Sequence, residues 1–242
     1  KSDIFFVALY LFGISLGAKG IRFEDVTADA NLLRPLSGIM GHGGAWGDFD
    51  GDGFIDLYVG EYADRTNDAY APAAGPVGNR LFRNLGNGQF VRAKQSTVEF
   101  YARTSGALFA DLDNDGDLEL YSANNCKGRV GFTGDVPQRR AQLRYSNLFR
   151  NDGDRFTDVS DSAGLRGTDQ GLAASWFDYD EDGFPDLYVA NDFFGPDRFY
   201  RNKGDGSFDE VARKILPHVP WFSMGTDVAD VNNDGLLDLM GS

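Results

Sequence analysis

The sequence predicts an all-β fold assembled from repeated units of four short strands. Three observations carry that expectation. An acidic phrase recurs four times, as DFDGDGFID at 48–56, DLDNDGDLE at 111–119, DYDEDGFPD at 178–186 and DVNNDGLLD at 230–238. Each copy stands between short apolar runs: GGAWG, SGALFA, LAASWF or GTDVA before it, and LYVG, LYSA, LYVA or LMGS after it. The chain also carries 31 glycines, 20 phenylalanines, 10 tyrosines and 3 tryptophans. Nowhere does it show the apolar period of a long amphipathic helix.

The N-terminus, KSDIFFVALYLFGISLGAKG, comes first. Residues 4–18 form an apolar run behind Lys1, with Ser15 and Gly17 in a small-x-small cleavage pattern. About fifteen helical residues reach roughly 22 Å, short of the roughly 30 Å apolar core of a bilayer, so a simple spanning helix is not expected. Residues 1–20 read either as a leader or as a retained assembly segment that packs on its own domain, a neighbour or a membrane.

Residues 21–242 hold the repeats, in units of about 42–92, 105–160, 171–212 and an incomplete 222–242. In each unit one apolar run enters the acidic phrase and another leaves it. A later phrase supplies a third strand, a glycine turn and the start of a fourth: NRLFRNLGNGQF at 79–90, SNLFRNDGDRF at 146–156 and DRFYRNKGDGSF at 197–208. Glycine accepts the positive φ that such hairpin turns need. A closing phrase, FTDVSDSAGL at 156–165, has an early counterpart in FEDVTADANL at 23–32. There FEDVT stands as a fourth strand without its first three; in propellers such an orphan pairs with the last blade. Three blades and two halves do not make a ring, so this chain is expected to be a fragment or to take missing strands from elsewhere. Nearly continuous apolar strands in four-stranded units suit the blades of a β-propeller, about three complete plus half-blades, where neighbours cover both faces of each sheet. A solenoid or a row of separate hairpins is the alternative.

Like charges at this density repel, so the acidic loops require an explanation. Oxygen-bearing residues at positions 1, 3, 5 and 9, with glycine at 6, make the pattern of a hard-cation site, and calcium accepts six to eight oxygens in irregular geometry. The candidate ligands of the first loop are Asp48, Asp50, Asp52 and Asp56, with the Phe54 carbonyl. The second offers Asp111, Asp113, Asp115 and Glu119, with the Asp117 carbonyl. The third offers Asp178, Asp180, Asp182, Asp186 and Phe184, and the fourth Asp230, Asn232, Asp234, Asp238 and Leu236. About four Ca2+ sites are therefore expected. An EF-hand needs flanking helices and a glutamate at position 12, where this chain has Val59, Ser122, Val189 and Gly241. Acidic hairpins that simply face water are the competing reading. Cys126 is the one cysteine, so no intramolecular disulfide framework exists, and metal clips would take over its stabilising role.

These loops, with NxLFRNxGxGxFxDV after them, resemble the FG-GAP/VCBS repeats of integrin-α-like propellers. The stretch GPDRFYRNKGDGSFDEVARKILPHVPWFSMGTDVADVNNDGLLDLM resembles the cartilage-acidic-protein-like group, whose members often carry an ASPIC/UnbV region further on. The resemblance covers about residues 21–242. It implies a seven-bladed type of propeller, secreted and calcium-binding, of which this chain would be a truncated part.

Other chemistry is sparse. The formal net charge of −14 disfavours nucleic acid as a partner and favours cations. His42 and His218 sit in different units and are expected at loops or strand ends, not as a catalytic pair. No nucleophile elbow, P-loop or dinucleotide fingerprint is present. Arg83, Arg150 and Arg201 recur at one position of the LFRN phrase and are expected to brace strands. Two insertions interrupt the repeat: 60–78, with Tyr62 and Tyr70, and 122–146, with Lys127, Arg129, Arg139, Arg140 and Arg144 against Asp135. The second is a solvated loop or a contact for an anionic glycan or an acidic subunit face. Pro220-Trp221-Phe222 is expected in a strand or the core, sugar stacking being its alternative. The whole reads as a non-catalytic extracellular module, secreted or at the cell surface, with a protein or glycan ligand there. The alternatives are a subunit of a filament or homo-oligomer that uses residues 1–20 and an open blade edge, and a polysaccharide-acting enzyme domain.

Overall fold

A computed structural model describes residues 21–39, 41–61, 78–100, 102–125, 145–165, 171–192 and 195–242. The N-terminal segment 1–20, Tyr62, Tyr70, Cys126, Lys127, Arg129, Asp135, Arg139, Arg140 and Arg144 lie outside the described residues.

The apolar runs around the first acidic phrase become β1 (Gly41–Gly47) and β2 (Asp56–Glu61), followed by β3 (Arg80–Asn84) and β4 (Phe90–Arg92). The second set is β5 (Thr104–Ala110), β6 (Glu119–Asn124), β7 (Asn147–Asn151) and β8 (Phe156–Asp158), and the third is β9 (Gly171–Phe177), β10 (Asp186–Asn191), β11 (Arg198–Asn202) and β12 (Phe208–Glu210). A short helix, α1 (Ala212–Ile215), and a two-stranded piece, β13 (Thr226–Ala229) with β14 (Asp238–Gly241), complete the described chain. The three full sets are four-stranded antiparallel meanders, each pairing its strands in chain order. Their registers repeat: Leu57 faces Phe82, Leu120 faces Phe149 and Leu187 faces Tyr200. The all-β, four-stranded expectation is met. The turn of helix at 212–215 has no counterpart in it.

The sheets stack face to face. Along β2, Leu57 and Val59 enter a core shared with Ala30, Leu32 and Ile39, while Tyr58 enters the next core with Leu120, Phe149 and Phe156. Along β6, Leu120 lies in that same core and Tyr121 in the following one, with Leu187, Val189 and Phe208. A strand buried on both faces has no polar side to show, which is why these runs read as continuously apolar. Each fully buried large side chain contributes about 1.5–3 kcal/mol. The first strands are small-residue-rich because they lie side by side: β1 packs on β5, β5 on β9 and β9 on β13. A Cβ on Gly43 would sit 2.5 Å from the Ser105 carbonyl oxygen, so the approach of β1 to β5 requires glycine there.

Two expectations are corrected. Among the described residues FEDVT forms no strand beyond a single bridge position at Glu24: Ile21 and Phe23 are exposed, and the segment leads into a turn whose Ala30 carbonyl accepts the Phe90 N–H at 3.0 Å. The closing phrase at 156–165 makes the same turn, with the Ala163 carbonyl accepting Phe208 N–H at 2.9 Å. The phrase therefore docks onto the fourth strand of the following sheet. Trp221 and Phe222 are exposed, at 55% and 59%, and Trp221 makes only an isolated bridge to Pro196. Pro220 lacks the N–H a strand needs, and Phe222 takes a positive φ of 62°, outside the strand region. Among the described residues no helix is long and apolar enough to cross a bilayer.

Candidate metal centres

Each acidic phrase is the hairpin loop between the first and second strands of its sheet, at one end of the stack. Its backbone turns through two left-handed residues. Glycine supplies the sixth position, with φ of 87°, 95°, 91° and 89° at Gly53, Gly116, Gly183 and Gly235. The fourth position is Gly51, Asn114, Glu181 or Asn233, also left-handed. This path turns N–H groups inward. Asp52 and Gly53 N–H donate to the two oxygens of Asp48 (3.1 and 2.8 Å), and Phe54 N–H donates to Asp52 Oδ1 (3.0 Å). The third loop repeats this: Asp178 accepts from Asp182 and Gly183 (3.1 and 2.8 Å), and Asp182 from Phe184 (3.1 Å). In the second loop Gly116 N–H reaches Asp111 (3.1 Å) and Asp117 N–H reaches Asp115 (2.9 Å).

The ninth residue closes the loop from its base. Asp56 is fully buried and accepts Phe49 N–H (3.1 Å) and, from β3, Asn84 N–H (2.7 Å). Glu119 accepts Leu112 N–H (3.0 Å) and Asn151 N–H (3.3 Å), and Asp186 accepts Tyr179 N–H (3.0 Å) and Asn202 N–H (2.8 Å). The phenyl rings of Phe54 and Phe184 lie over Gly86 and Gly204, in the turns between third and fourth strands, where a Cβ would come within 2.5 and 2.7 Å. Phe54 nonetheless remains 45% exposed, and Leu236, at the same position of the fourth loop, is 55% exposed.

Three trios of carboxylates converge: Asp48, Asp50 and Asp56; Asp111, Asp113 and Asp115; Asp178, Asp180 and Asp186. Each presents oxygens within 4.8 Å of one another. Two oxygens held at about 2.3–2.6 Å from one ion can be no more than about 4.6–5.2 Å apart, so the spacing fits a calcium-sized cation. Asp52, Glu119 and Asp182 lie in the same loops but outside the trios. The fourth loop gathers no such trio among the described residues: Asn232 stands at its third position, and Asp230, Asp234 and Asp238 are its acids. Asp230 still accepts from Asp234 and Gly235, while Asp238 is exposed and accepts Val231 N–H (3.0 Å), with no third strand beside it among the described residues.

The electrostatics point the same way. Burial, ahead of repulsion by neighbouring carboxylates, pushes Asp56 and Asp186 up to about 6 and Glu119 up to about 7. Burial and then repulsion also raise Asp50 and Asp113. Asp50 Oδ1 and Asp111 Oδ1 are buried without a hydrogen-bond partner, although a buried polar atom is ordinarily paired. Converging oxygens with unsatisfied capacity have the arrangement that a cation site requires.

The recurring arginines brace strand to loop, not strand to strand. Arg83 Nε lies 3.0 Å from Asp50 and 3.5 Å from Asp52, and Arg201 lies 2.6 Å from Asp180 and 3.1 Å from Asp182. Arg150 turns instead to Asp152, at 2.8 Å. The sequence reading passed over the asparagine that ends each LFRN or FYRN phrase, Asn84, Asn151 and Asn202; its recurrence beside the arginine was the available signal. His42, on β1, places Nδ1 3.4 Å from the Ser105 carbonyl oxygen, and His218 is exposed beyond α1.

An FG-GAP-like repeat profile matches residues 48–122 and 178–240, more than half of the chain. The chain is 28% identical to cartilage acidic protein 1 of Xenopus tropicalis over 202 residues, covering 80% of this chain and 29% of that protein. It is 26% identical to the Homo sapiens protein of the same name, with the same coverage. It thus spans under a third of the length of these relatives. Among solved structures it is similar to an Agrocybe aegerita lectin that recognises non-reducing terminal N-acetylglucosamine, with 17% identity, a TM-score of 0.45, and coverage of 84% of this chain and 48% of that one. The profile falls on the same acidic loops and flanking strands that the geometry singles out, and the chain belongs to the FG-GAP-like repeat family.

Proposed function

We propose that this chain is an extracellular, non-catalytic calcium-binding module of β-propeller type, serving adhesion or surface assembly. The observation that carries the reading is the set of three carboxylate trios, two of which hold an unpaired buried oxygen, Asp50 Oδ1 and Asp111 Oδ1. Asp48, Asp50 and Asp56, with the Phe54 carbonyl, would hold the first cation; the second and third loops would act alike, and the fourth more weakly through Asp230, Asn232, Asp234 and Asp238. A bound cation supplies positive charge that offsets the mutual repulsion of these acids. Because the trios assemble only in the folded hairpin, occupancy stabilises the fold by mass action. The family and the similarity to cartilage acidic protein 1 support an extracellular setting without catalysis. The test is calorimetric titration of EGTA-stripped protein with calcium chloride, alongside thermal melts. Heat at more than one site with a rising Tm is expected; no heat and an unchanged Tm would refute the reading.

A further inference from the structure

Asn151 and Asn202 each touch two acidic loops at once. Their backbone N–H groups donate to the closing acid of their own loop, Glu119 Oε1 at 3.3 Å and Asp186 Oδ1 at 2.8 Å. Their side-chain amides reach back to the loop of the preceding sheet: Asn151 Nδ2 donates to the Phe49 carbonyl at 2.7 Å, and Asn202 Nδ2 to the Leu112 carbonyl at 2.8 Å. Both side chains are buried, and each Oδ1 accepts a turn N–H, from Gly153 or Gly204, which fixes the amide's orientation. The contacted peptides are themselves part of the loops' closure, since Phe49 N–H is held by Asp56 and Leu112 N–H by Glu119.

The contacts form one continuous line: Asp56, Phe49, Asn151, Glu119, Leu112, Asn202, Asp186. Asn84 supplies an internal comparison. It occupies the same strand position and holds its own loop through Asp56 and the Ile55 carbonyl (2.9 Å), yet among the described residues its half-buried side chain makes no inter-sheet bond. A direct bond between loops, Asn114 Nδ2 to the Gly183 carbonyl at 3.1 Å, runs parallel to the second tie.

We infer that Asn151 and Asn202 are positioning residues that couple successive cation loops, so that filling one loop favours filling the next. The inference rests on the calcium reading of the loops. A loop whose acids close on a cation holds its second peptide still, and a fixed carbonyl orders the asparagine that must also serve the next closing acid. The second cation then meets a loop whose ordering is already partly complete, which is positive coupling. Ion–ion repulsion opposes it and is weakened by salt.

The test uses terbium ion as probe on the EGTA-stripped chain. Trp176, two residues before Asp178 and packed on the core that holds Leu112 of the second loop, is the expected sensitiser of terbium in both loops. The third-loop signal is therefore taken as the part that Asp178→Ala abolishes; Trp46→Phe removes its counterpart at the first loop. In that background the second loop is disabled by Asp113→Ala, with Asn202 intact and with Asn202→Ala. With Asn202 present, Asp113→Ala is expected to weaken terbium binding at the third loop by about five- to tenfold, within the usual range of coupling between sites. With Asn202→Ala, the same change should have less than about a twofold effect, whereas Asn84→Ala should leave the coupling intact. An equal effect of Asp113→Ala in both backgrounds, or none in either, overturns the coupling while leaving the calcium reading standing. Absence of terbium binding at any loop overturns both. A merely structural role for Asn202 would shift affinity without altering the difference that Asp113→Ala makes.

Discussion

Asp186→Ala and Asp238→Ala remove the same ninth-position acid from two loops, one covered by a third strand and one not. Asp186 is fully buried and satisfies two backbone donors, Tyr179 N–H at 3.0 Å and Asn202 N–H at 2.8 Å. Leaving a buried donor without its partner costs about 1–3 kcal/mol, so Asp186→Ala should destabilise the metal-free protein by about 2–5 kcal/mol. At this chain length that corresponds to a fall in Tm of roughly 5–15 °C. Asp238 is exposed and holds one donor, Val231 N–H, which water replaces, so its loss should cost less than about 1 kcal/mol. The assay is urea and thermal unfolding in EGTA and again in calcium. A site filled at 100 times its Kd adds about 2.7 kcal/mol, a gain that Asp186→Ala should forfeit at the third loop. Equal losses for the two variants in EGTA would refute the argument that the third strand turns this acid into a buried clasp.

Other outcomes follow from the same geometry. Gly183 has a φ of 91° with nothing within 4 Å of a Cβ, so Gly183→Ala should cost about 1–2 kcal/mol from backbone strain alone, read as a shift in urea midpoint. Arg201 competes with any cation for Asp180 and Asp182 from a half-exposed position. Arg201→Ala should therefore leave the urea midpoint in EGTA nearly unchanged, yet tighten calcium binding several-fold by calorimetry; unchanged affinity would show that the arginine does not compete. The pH dependence has a defined sign. Asp56, Asp186 and Glu119 are raised from 3.8, 3.8 and 4.5 to about 6, 6 and 7, chiefly by burial. Between those values the unfolded chain binds fewer protons than the folded one, so the metal-free fold loses this contribution as pH rises from about 4 through 7. Urea midpoints in EGTA should be lower at pH 8 than at pH 5.5, with the order reversed in saturating calcium, where protons compete for the ligands. The same order in both media would contradict the assignment of these carboxyls as ligands.

The repeated phrases made much of this legible. Leu57–Gly60 and its counterparts read as strands because residues apolar on both faces suit a sheet covered on both sides, and Gly53, Gly116, Gly183 and Gly235 marked the turns because only glycine takes those φ values without strain. Local chemistry of that kind is written in neighbouring residues. What required three dimensions was everything that depends on which sheet lies beside which. Asp186 and Asp238 look equivalent in the chain, but one is buried and the other exposed, because a strand distant in sequence covers only the first. FEDVT looks like a full strand, yet keeps a single bridge position and leads into a turn docked on Phe90 through Ala30. Among the described residues Asn151 and Asn202 reach a neighbouring loop while Asn84, in the same motif, does not. Backbone preference is set over a few residues and so survives in the sequence. Burial and long-range hydrogen bonds arise between segments as much as 102 residues apart, and stacking alone decides them.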